Sequence, residues 1–249
     1  MLRFYTMANG PSKQPGRIPP SARDRRRAWL VHAYTGTGAV LAFLAAWGVV
    51  HGYDRVALGT MFAATIVDGT DGVLARRARV KEVLPDVDGG RIDDIVDYMT
   101  FVLVPMLLLE ASGGLYALTV IPVVAIVMLS SLYGFVAPDA KTDDHYFTGF
   151  PSYWNIVVFY LYLAGWSQLS NAGLLLVLAM FVFVPIRYVY PSRMPVLRPL
   201  TIALGIIWGV LLILMLWRMP DVPSVIFWMS LIFPAYYLAL SLVLNHRRR

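Results

Sequence analysis

Residues 57–97 read ALGTMFAATIVDGTDGVLARRARVKEVLPDVDGGRIDDIVD, an apolar run that ends in carboxylates and continues into a basic spacer and a second acidic stretch. The chain has 15 acidic residues, and eight of them lie between positions 68 and 97. Ionisable groups in apolar helices are costly and usually mark a functional site. The stretch therefore predicts two membrane helices whose neighbouring ends share an acidic site.

The spacing of the polar and small residues predicts two matched helical faces. Residues three and four apart lie on the same side of a helix. One face follows the spacing i, i+3, i+4, i+7 and i+8 and carries Asp68, Asp71, Gly72, Ala75 and Arg76. The other follows i, i+4 and i+8 and carries Gly89, Asp93 and Asp97. A tight connection between the two helices lets these faces meet.

The residue types on these faces favour a site for divalent cations and phosphate. Facing carboxylates repel one another unless cations neutralise them. Ligand sets made only of oxygen suit magnesium, manganese or calcium, and they do not suit zinc. Arg76 can pair with a phosphate, and the small residues leave room for a nucleotide against the backbone. The simpler alternative is that the aspartates only pair with neighbouring cations, namely Arg76, Arg77, Arg79 and Arg91.

The composition of the 249 residues is typical of a polytopic membrane protein. Hydrophobic residues make up 58% of the chain and charged residues only 14%, whereas soluble domains carry about 25% charged residues. Apolar runs of about 20 residues recur, which is the length that crosses a bilayer. Cysteine is absent, which excludes disulfides and thiolate metal sites. The net charge of +6 does not indicate a nucleic-acid partner, because the basic residues lie at segment ends.

The predicted fold is an all-α, polytopic membrane helix bundle with about eight transmembrane helices. Gly, Pro and charged residues separate the predicted helices, 28–50, 55–78, 91–111, 115–136, 152–167, 171–190, 197–217 and 223–245. The fifth is short, so seven spans plus a re-entrant piece is an alternative. The predicted domains are a disordered, basic cytoplasmic tail at 1–27 and a transmembrane catalytic domain at 28–249.

The distribution of Lys and Arg predicts the orientation of the bundle. Cytoplasmic loops carry an excess of these residues. With eight spans, four basic segments fall on one side, at 3–27, 76–91, 187–198 and 247–249, while the opposite loops hold only Arg55 and Arg218. Both termini and the aspartates are therefore expected on the cytoplasmic side.

The acidic motif resembles the signature of the CDP-alcohol phosphatidyltransferases. The matching positions are Asp68, Asp71, Gly72, Ala75, Arg76, Gly89, Asp93 and Asp97. The spacer at 77–88 has twelve residues, whereas about eight are usual in that family, and the longer spacer is similar to the bacterial phosphatidylcholine synthase branch. Segments 31–35, 139–145 and 147–155 resemble the same branch.

The resemblance implies that CDP-diacylglycerol and choline react to give phosphatidylcholine and CMP in the bacterial inner membrane. It implies two divalent cations, Mn²⁺ or Mg²⁺, held by Asp68, Asp71 and Asp93, with Asp97 completing the second site and acting as general base. It implies contacts to the CDP-lipid from Thr35, Gly72, Ala75, Arg76 and Gly89. A homodimer is also expected from the resemblance alone.

Choline is a quaternary ammonium, so aromatic faces and negative charge must recognise it. The stretch 143–162 is polar and then aromatic, and we expect Asp143, Tyr146, Tyr153 and Trp154 to form the choline site. An interfacial aromatic belt explains the same residues without a ligand. His32 and His51 are interpreted as polar groups at helix ends, and Asn155 can equally join two helices.

Two other functions stay open from the sequence. An enzyme of the same family can accept serine, inositol phosphate or glycerol phosphate instead of choline. A divalent-cation transporter also places aspartates within a membrane, although the carboxylates here cluster near one face and Arg76 opposes cation passage.

Overall fold

The computed structural model describes residues 19–137, 146–189 and 197–246. Its α-helices are α1 (Ala22–Val50), α2 (Asp54–Arg77), α3 (Val80–Val83), α4 (Gly89–Asp97), α5 (Val104–Ala111), α6 (Val120–Val136), α7 (Trp154–Ala164), α8 (Gln168–Val182), α9 (Arg198–Arg218), α10 (Ser224–Ser230) and α11 (Ile232–His246). A π-helical segment, Tyr98–Leu103, joins α4 to α5. Two three-residue strands, β1 (Tyr146–Thr148) and β2 (Arg187–Val189), pair antiparallel.

The structure confirms an all-α membrane bundle, with helical structure in each of the eight predicted segments. In the part of the chain that the structure describes, three helical segments are long and apolar enough to cross a membrane, namely 22–50, 198–218 and 224–245. The predicted end of the sixth helix at 190 is wrong, because α8 ends at Val182 and β2 follows. The short α3 and the two strands are absent from the sequence prediction.

The first helix starts earlier than predicted. The Ser21 side chain accepts a hydrogen bond from the Asp24 backbone N–H at 3.1 Å, and the Asp24 carboxylate accepts one from the Ser21 backbone N–H at 3.3 Å. This reciprocal capping box satisfies two donors that a helix start leaves free. Helix α1 therefore includes residues 22–27 of the predicted tail, and residues 1–18 of that tail lie outside the described residues.

Helices α1 and α2 form a close hairpin because small residues line their contact. Gly48 lies so near α2 that a Cβ there would come within 2.9 Å of the Ala57 backbone nitrogen and 3.2 Å of the Tyr53 carbonyl oxygen. Ala45 and Ala57 are fully buried beside it. Small residues let membrane helices approach through their backbones. This close approach fixes the position of α1 along α2, and thereby beside the aspartates.

Substituting Gly48 by Ala is expected to destabilise the hairpin by about 1–3 kcal/mol, because the new methyl group meets rigid backbone. Gly36→Ala is the matched control, since a Cβ at that position of the same helix has no atom within 4 Å. Thermal unfolding of the purified protein in detergent should show a lower midpoint for Gly48→Ala only. Equal midpoints for the two variants would show that the helices separate easily at this point.

The third predicted helix is continuous from 89 to 111 but changes its winding in the middle. Pro105 lies in the first turn of α5 and lacks a backbone N–H, and the π-helical segment immediately precedes α5. Such π-helical turns are rare and occur frequently at functional sites. The segment begins directly after Asp97, so the change in winding sets the direction of the helix beyond the acidic motif.

The largest hydrophobic core packs α7 against α2, α5 and the π-helical segment. Trp154 and Phe159 are the largest fully buried side chains in it. Polar groups inside the bundle pair across helices, as Asn155 Nδ2 does by donating to Thr65 Oγ1 at 2.9 Å. Asn155 thus has the helix-to-helix role that the sequence left open. Helix α9 and the segment 224–245 are mostly exposed in the monomer, as lipid-facing helices are.

Candidate functional site

The motif brings three aspartates together where α2 ends and α4 begins. Asp68 and Asp71 lie one turn apart on α2, and Asp93 lies one turn into α4. One carboxylate oxygen of each lies within 4.8 Å of the others. Asp71 is buried, whereas Asp68 and Asp93 are partly exposed. The two predicted faces therefore meet, and they form a group that can hold a metal ion.

Helix α1 supplies a third side of this site. Thr35 Oγ1 donates a hydrogen bond to Asp71 Oδ2 at 2.8 Å, and both side chains are buried. One residue earlier on each helix, the hydroxyls of Tyr34 and Thr70 are 2.8 Å apart and share a hydrogen bond. A carboxylate held by a neighbouring hydroxyl has a fixed orientation, which favours metal ligation by its free oxygen. Thr35, which was expected to contact the CDP-lipid, therefore lies at the acidic group and orients Asp71.

Asp97 lies one helical turn beyond Asp93, at the last position of α4. Its side chain is buried, at 9% exposure, and it lies outside the group of three carboxylates. The four residues from Asp93 to Asp97 rise about 6 Å along the helix. Asp97 is thus buried one turn from Asp93 and outside the group of three, which suits a role distinct from theirs.

The residues fit a hard divalent cation. Three carboxylates on two helices supply the oxygen ligands that Mg²⁺ and Mn²⁺ prefer. A bound cation also offsets the mutual repulsion of carboxylates held this closely. The ordered Thr35 hydrogen bond and the burial of Asp71 make this group unlike an exposed acidic patch.

The residues predicted to contact the CDP-lipid are distributed around this group. The exposed Arg76 side chain lies beside Gly72, where a Cβ would come within 3.3 Å of Arg76 Nη1. Gly89 opens α4 one turn before Asp93. Ala75 instead packs against the small cluster formed by Ala28 and α3. Gly72, Gly89 and Arg76 thus border the aspartates, while Ala75 contributes to the packing of α2 against α1 and α3.

Known proteins with similar sequences extend over most of the chain. The chain is 37% identical over 221 residues to a phosphatidylcholine synthase of Legionella pneumophila, which covers 86% of this chain and 87% of that protein. It is 34% identical over 222 residues to the Rhizobium johnstonii phosphatidylcholine synthase, with 88% and 90% covered. The chain belongs to the phosphatidylcholine synthase family. The Pseudomonas aeruginosa member is 35% identical over 185 residues, or 74% of this chain and 78% of that protein. No protein-family model matches the chain.

This result confirms the resemblance that the twelve-residue spacer indicated. In this member of the phosphatidylcholine synthase family the spacer contains α3, whose Val80 and Val83 pack with Leu84 onto Ala28 of α1. The spacer thus lies against the N-terminal turns of α1 and is ordered by apolar contacts. It borders a surface cavity of about 380 Å³ together with Arg25 and Trp29.

The structure describes the side chains of two of the four residues that were expected to bind choline, and it places them in different environments. Trp154 is fully buried, and its Nε1 donates a hydrogen bond to Ser131 Oγ at 2.7 Å. Tyr153 is partly exposed, and its ring meets the ring of Phe101 edge-on at 6.3 Å between centroids. Asp143 lies outside the described residues, and Tyr146 is described only through its backbone in β1. Among the described residues, Tyr153 is therefore the candidate for the choline contact, whereas Trp154 packs in the core.

One residue of the site escaped the sequence prediction. His32 is not a helix-end group, because α1 begins ten residues earlier and His32 is 93% buried. Its Nδ1–Cε1 edge lies over Gly89. The signal that locates it is the capping box at Ser21 and Asp24, which moves the helix start toward the N-terminus. His51, at the other end of α1, is an exposed helix-end group as interpreted, with Nδ1 2.8 Å from the Trp47 carbonyl oxygen.

Proposed function

We propose that the chain transfers the phosphatidyl group of CDP-diacylglycerol to choline and releases CMP. The observation that carries this proposal is the group formed by Asp68, Asp71 and Asp93, with Thr35 on Asp71, in a member of the phosphatidylcholine synthase family. The names of the relatives support phosphatidylcholine as the product. Carboxylates that bind metal ions next to a phosphate-binding Arg support phosphoryl transfer as the reaction class.

Asp68, Asp71 and Asp93 would hold two divalent cations, Mn²⁺ or Mg²⁺, and Asp97 would complete the second site. When bound, the cations offset the negative charge of the pyrophosphate and of the departing CMP. The contribution of the chain is to hold the carboxylates in place. Thr35 fixes Asp71, and the contact between α1 and α2 fixes Thr35.

In the proposed step, the choline hydroxyl oxygen forms a bond to the phosphorus that carries diacylglycerol. The bond from that phosphorus to the oxygen bridging it to CMP breaks, and CMP leaves with the bridging oxygen and its electron pair. Asp97 accepts the hydroxyl proton as the new bond forms. A carboxylate of ordinary basicity suffices, because the proton becomes acidic during attack.

The acyl tails and the nucleotide of the CDP-lipid are proposed to lie in different regions around the aspartates. The acyl tails stay among the apolar helices, and the nucleotide lies toward the charged ends of α1 and α2. Gly72 leaves the backbone accessible to the nucleotide, Arg76 pairs with a phosphate, and Gly89 makes room for the His32 ring beside the site. With the charge distribution predicted from the loops, the site faces the cytoplasm of the bacterial inner membrane and both termini lie on that side. The homodimer expected from the resemblance is proposed on that basis alone.

Choline is proposed to bind between Tyr153 and the helix that carries Asp97. Phe101, which the Tyr153 ring contacts, lies four residues after Asp97. An aromatic ring that contacts the helix one turn beyond Asp97 suits a cation whose hydroxyl must reach that carboxylate. Asp143 and Tyr146 stay part of the proposed choline site on the sequence argument.

Tyr153→Ala is expected to raise the choline KM about tenfold and to leave the CDP-diacylglycerol KM within about twofold, because a cation–π contact contributes about 1–2 kcal/mol. Tyr116→Ala serves as the matched control, since Tyr116 is half-exposed between α5 and α6. Initial rates at varied choline and varied CDP-lipid separate the two constants. Equal increases in both would assign Tyr153 to packing.

The reaction itself is tested with purified full-length protein, CDP-diacylglycerol, labelled choline and either Mn²⁺ or Mg²⁺. The expected products are labelled phosphatidylcholine and an equal amount of CMP, and chelation of the metal should stop both. Serine, inositol phosphate and glycerol phosphate are offered in parallel as acceptors. Preferential use of one of these acceptors would replace choline as the proposed substrate. Metal flux into liposomes without release of CMP would refute the proposal that the protein is an enzyme.

A further inference from the structure

His32 has a buried imidazole nitrogen with no partner among the described residues. Its Nε2 is shielded by the surrounding atoms and makes no hydrogen bond there. Burying an unpaired polar atom costs free energy, so such an atom usually has a partner. Its partner is therefore a ligand, a water or a residue outside the described part of the chain, and the position of the ring favours a ligand. His32 thus differs from Asn155 and Trp154, whose buried polar groups bond to neighbouring helices.

The position of the ring relates this nitrogen to the proposed site. A Cβ on Gly89 would come within 2.8 Å of His32 Cε1 and 3.2 Å of Nδ1, so the ring edge that faces Gly89 is the one adjacent to Nε2. Gly89 is one turn before Asp93 on α4. On α1, His32 lies one turn before Thr35, which donates to Asp71. One contact, with Gly89, and the position of His32 one turn before Thr35 therefore place His32 next to the acidic group, on the side nearer the N-terminus of α1.

The side on which His32 lies determines which part of the substrate it meets. The pyrophosphate belongs at the aspartates, and the acyl tails extend from it into the apolar bundle. The nucleoside must then extend the opposite way, toward the charged start of α1. His32 is about 4.5 Å from Thr35 along the helix axis in that direction. A nucleoside carries both hydrogen-bond donors and acceptors, and a neutral imidazole nitrogen can serve either kind.

We propose that His32 Nε2 forms a hydrogen bond to the nucleoside half of the CDP-lipid and thereby positions this substrate. The inference rests on the proposed function, since it assigns the CDP-lipid to this site. This role differs from metal ligation, because the group of possible metal ligands consists of Asp68, Asp71 and Asp93 and does not include His32. It also differs from choline recognition, because the choline hydroxyl must be at the reacting phosphorus and its ammonium has no N–H.

The test compares His32→Leu, which removes the nitrogen, with His32→Gln, which keeps a hydrogen-bonding group. His51→Leu is the matched control, being the same change at the exposed far end of α1. We expect His32→Leu to raise the CDP-diacylglycerol KM and the CMP inhibition constant by about tenfold, the effect of one hydrogen bond. The choline KM and the half-saturating Mn²⁺ concentration should stay within about twofold. His32→Gln should recover part of the loss, and His51→Leu should match the wild type.

Direct binding of labelled CMP to the full-length protein separates this inference from the proposed reaction. If the wild type binds CMP but makes no phosphatidylcholine, the proposed function fails, and weaker CMP binding by His32→Leu still supports the nucleoside contact. Unchanged CMP affinity in a folded His32→Leu protein overturns the inference alone. A larger Mn²⁺ requirement, or equal increases in both KM values, also overturns it. If His32→Leu does not fold, His32→Gln and His32→Asn are compared for CMP affinity, and wild-type affinity in both overturns it.

Discussion

Replacing Asp97 by Asn is expected to lower turnover about a thousandfold while CDP-lipid binding changes little. The amide cannot accept the choline proton, and general-base catalysis contributes about 10²–10⁴ in rate. The substitution preserves shape in a buried position, where Asp97 ends α4 and precedes the π-helical segment. The fold should therefore persist, and the loss should be in kcat.

Asp94→Asn is the matched control for this variant. It removes the same charge three residues earlier, from a partly exposed side chain of α4 that lies outside the group of Asp68, Asp71 and Asp93. Initial rates and labelled CMP binding are measured on both proteins with saturating Mn²⁺. We expect Asp94→Asn to stay within about fivefold of the wild type in rate. Near wild-type turnover of Asp97→Asn would remove Asp97 from the mechanism, and lost CMP binding would show that the loss of rate comes from nucleotide or metal binding and not from general-base catalysis.

The acidic site was predictable because its information is local. Helical spacing alone places Asp68 and Asp71 on one face and Asp93 on another. The structure brings the three together as expected. The family followed from the same stretch, because the length of the spacer is read directly from the sequence and the relatives confirm it.

The remaining parts of the site depend on contacts between distant segments. Trp154 looked available to choline, but its indole N–H is bound by Ser131, 23 residues earlier in the chain. His32 was predicted to lie at a helix end, but α1 starts at Ala22 and the His32 ring contacts Gly89 of another helix. The sequence of a membrane protein does not show whether an aromatic residue or a histidine lies in the core, at the membrane interface or in a binding site. Only the packing of one helix on another distinguishes these environments.

Helix α1 emerges as part of the site although it carries none of the motif carboxylates. It contributes the Thr35 hydroxyl to Asp71 and the His32 ring over Gly89. Its position is set at the opposite end of the hairpin, where Gly48 meets Ala57. A disturbance at that distant contact is therefore expected to reach the proposed metal ligands through the helix, so the stability of the hairpin should affect the rate of the reaction.

Asp71→Asn is expected to lower turnover by at least about a hundredfold and to raise the Mn²⁺ concentration needed for half-maximal rate. The change removes a charged ligand from the proposed metal site, and bound cations supply several kcal/mol of charge stabilisation. Asp71 is the most deeply buried of the three carboxylates, so no exposed neighbour or solvent replaces it easily. The metal dependence of the rate is measured with Mn²⁺ and Mg²⁺ at saturating substrates.

Thr35→Val makes the same prediction more specific, because it removes only the hydrogen bond that holds Asp71. Loss of an outer partner of a metal ligand costs about 10–100-fold in metal affinity or activity. Thr35→Val should therefore shift the half-saturating Mn²⁺ concentration in the same direction as Asp71→Asn, by a smaller factor, and excess Mn²⁺ should restore most of its rate. Thr35→Ser, which keeps the hydroxyl, should behave like the wild type. An unchanged Mn²⁺ requirement in both Asp71→Asn and Thr35→Val would mean that the cluster is structural and that the metal ions bind elsewhere.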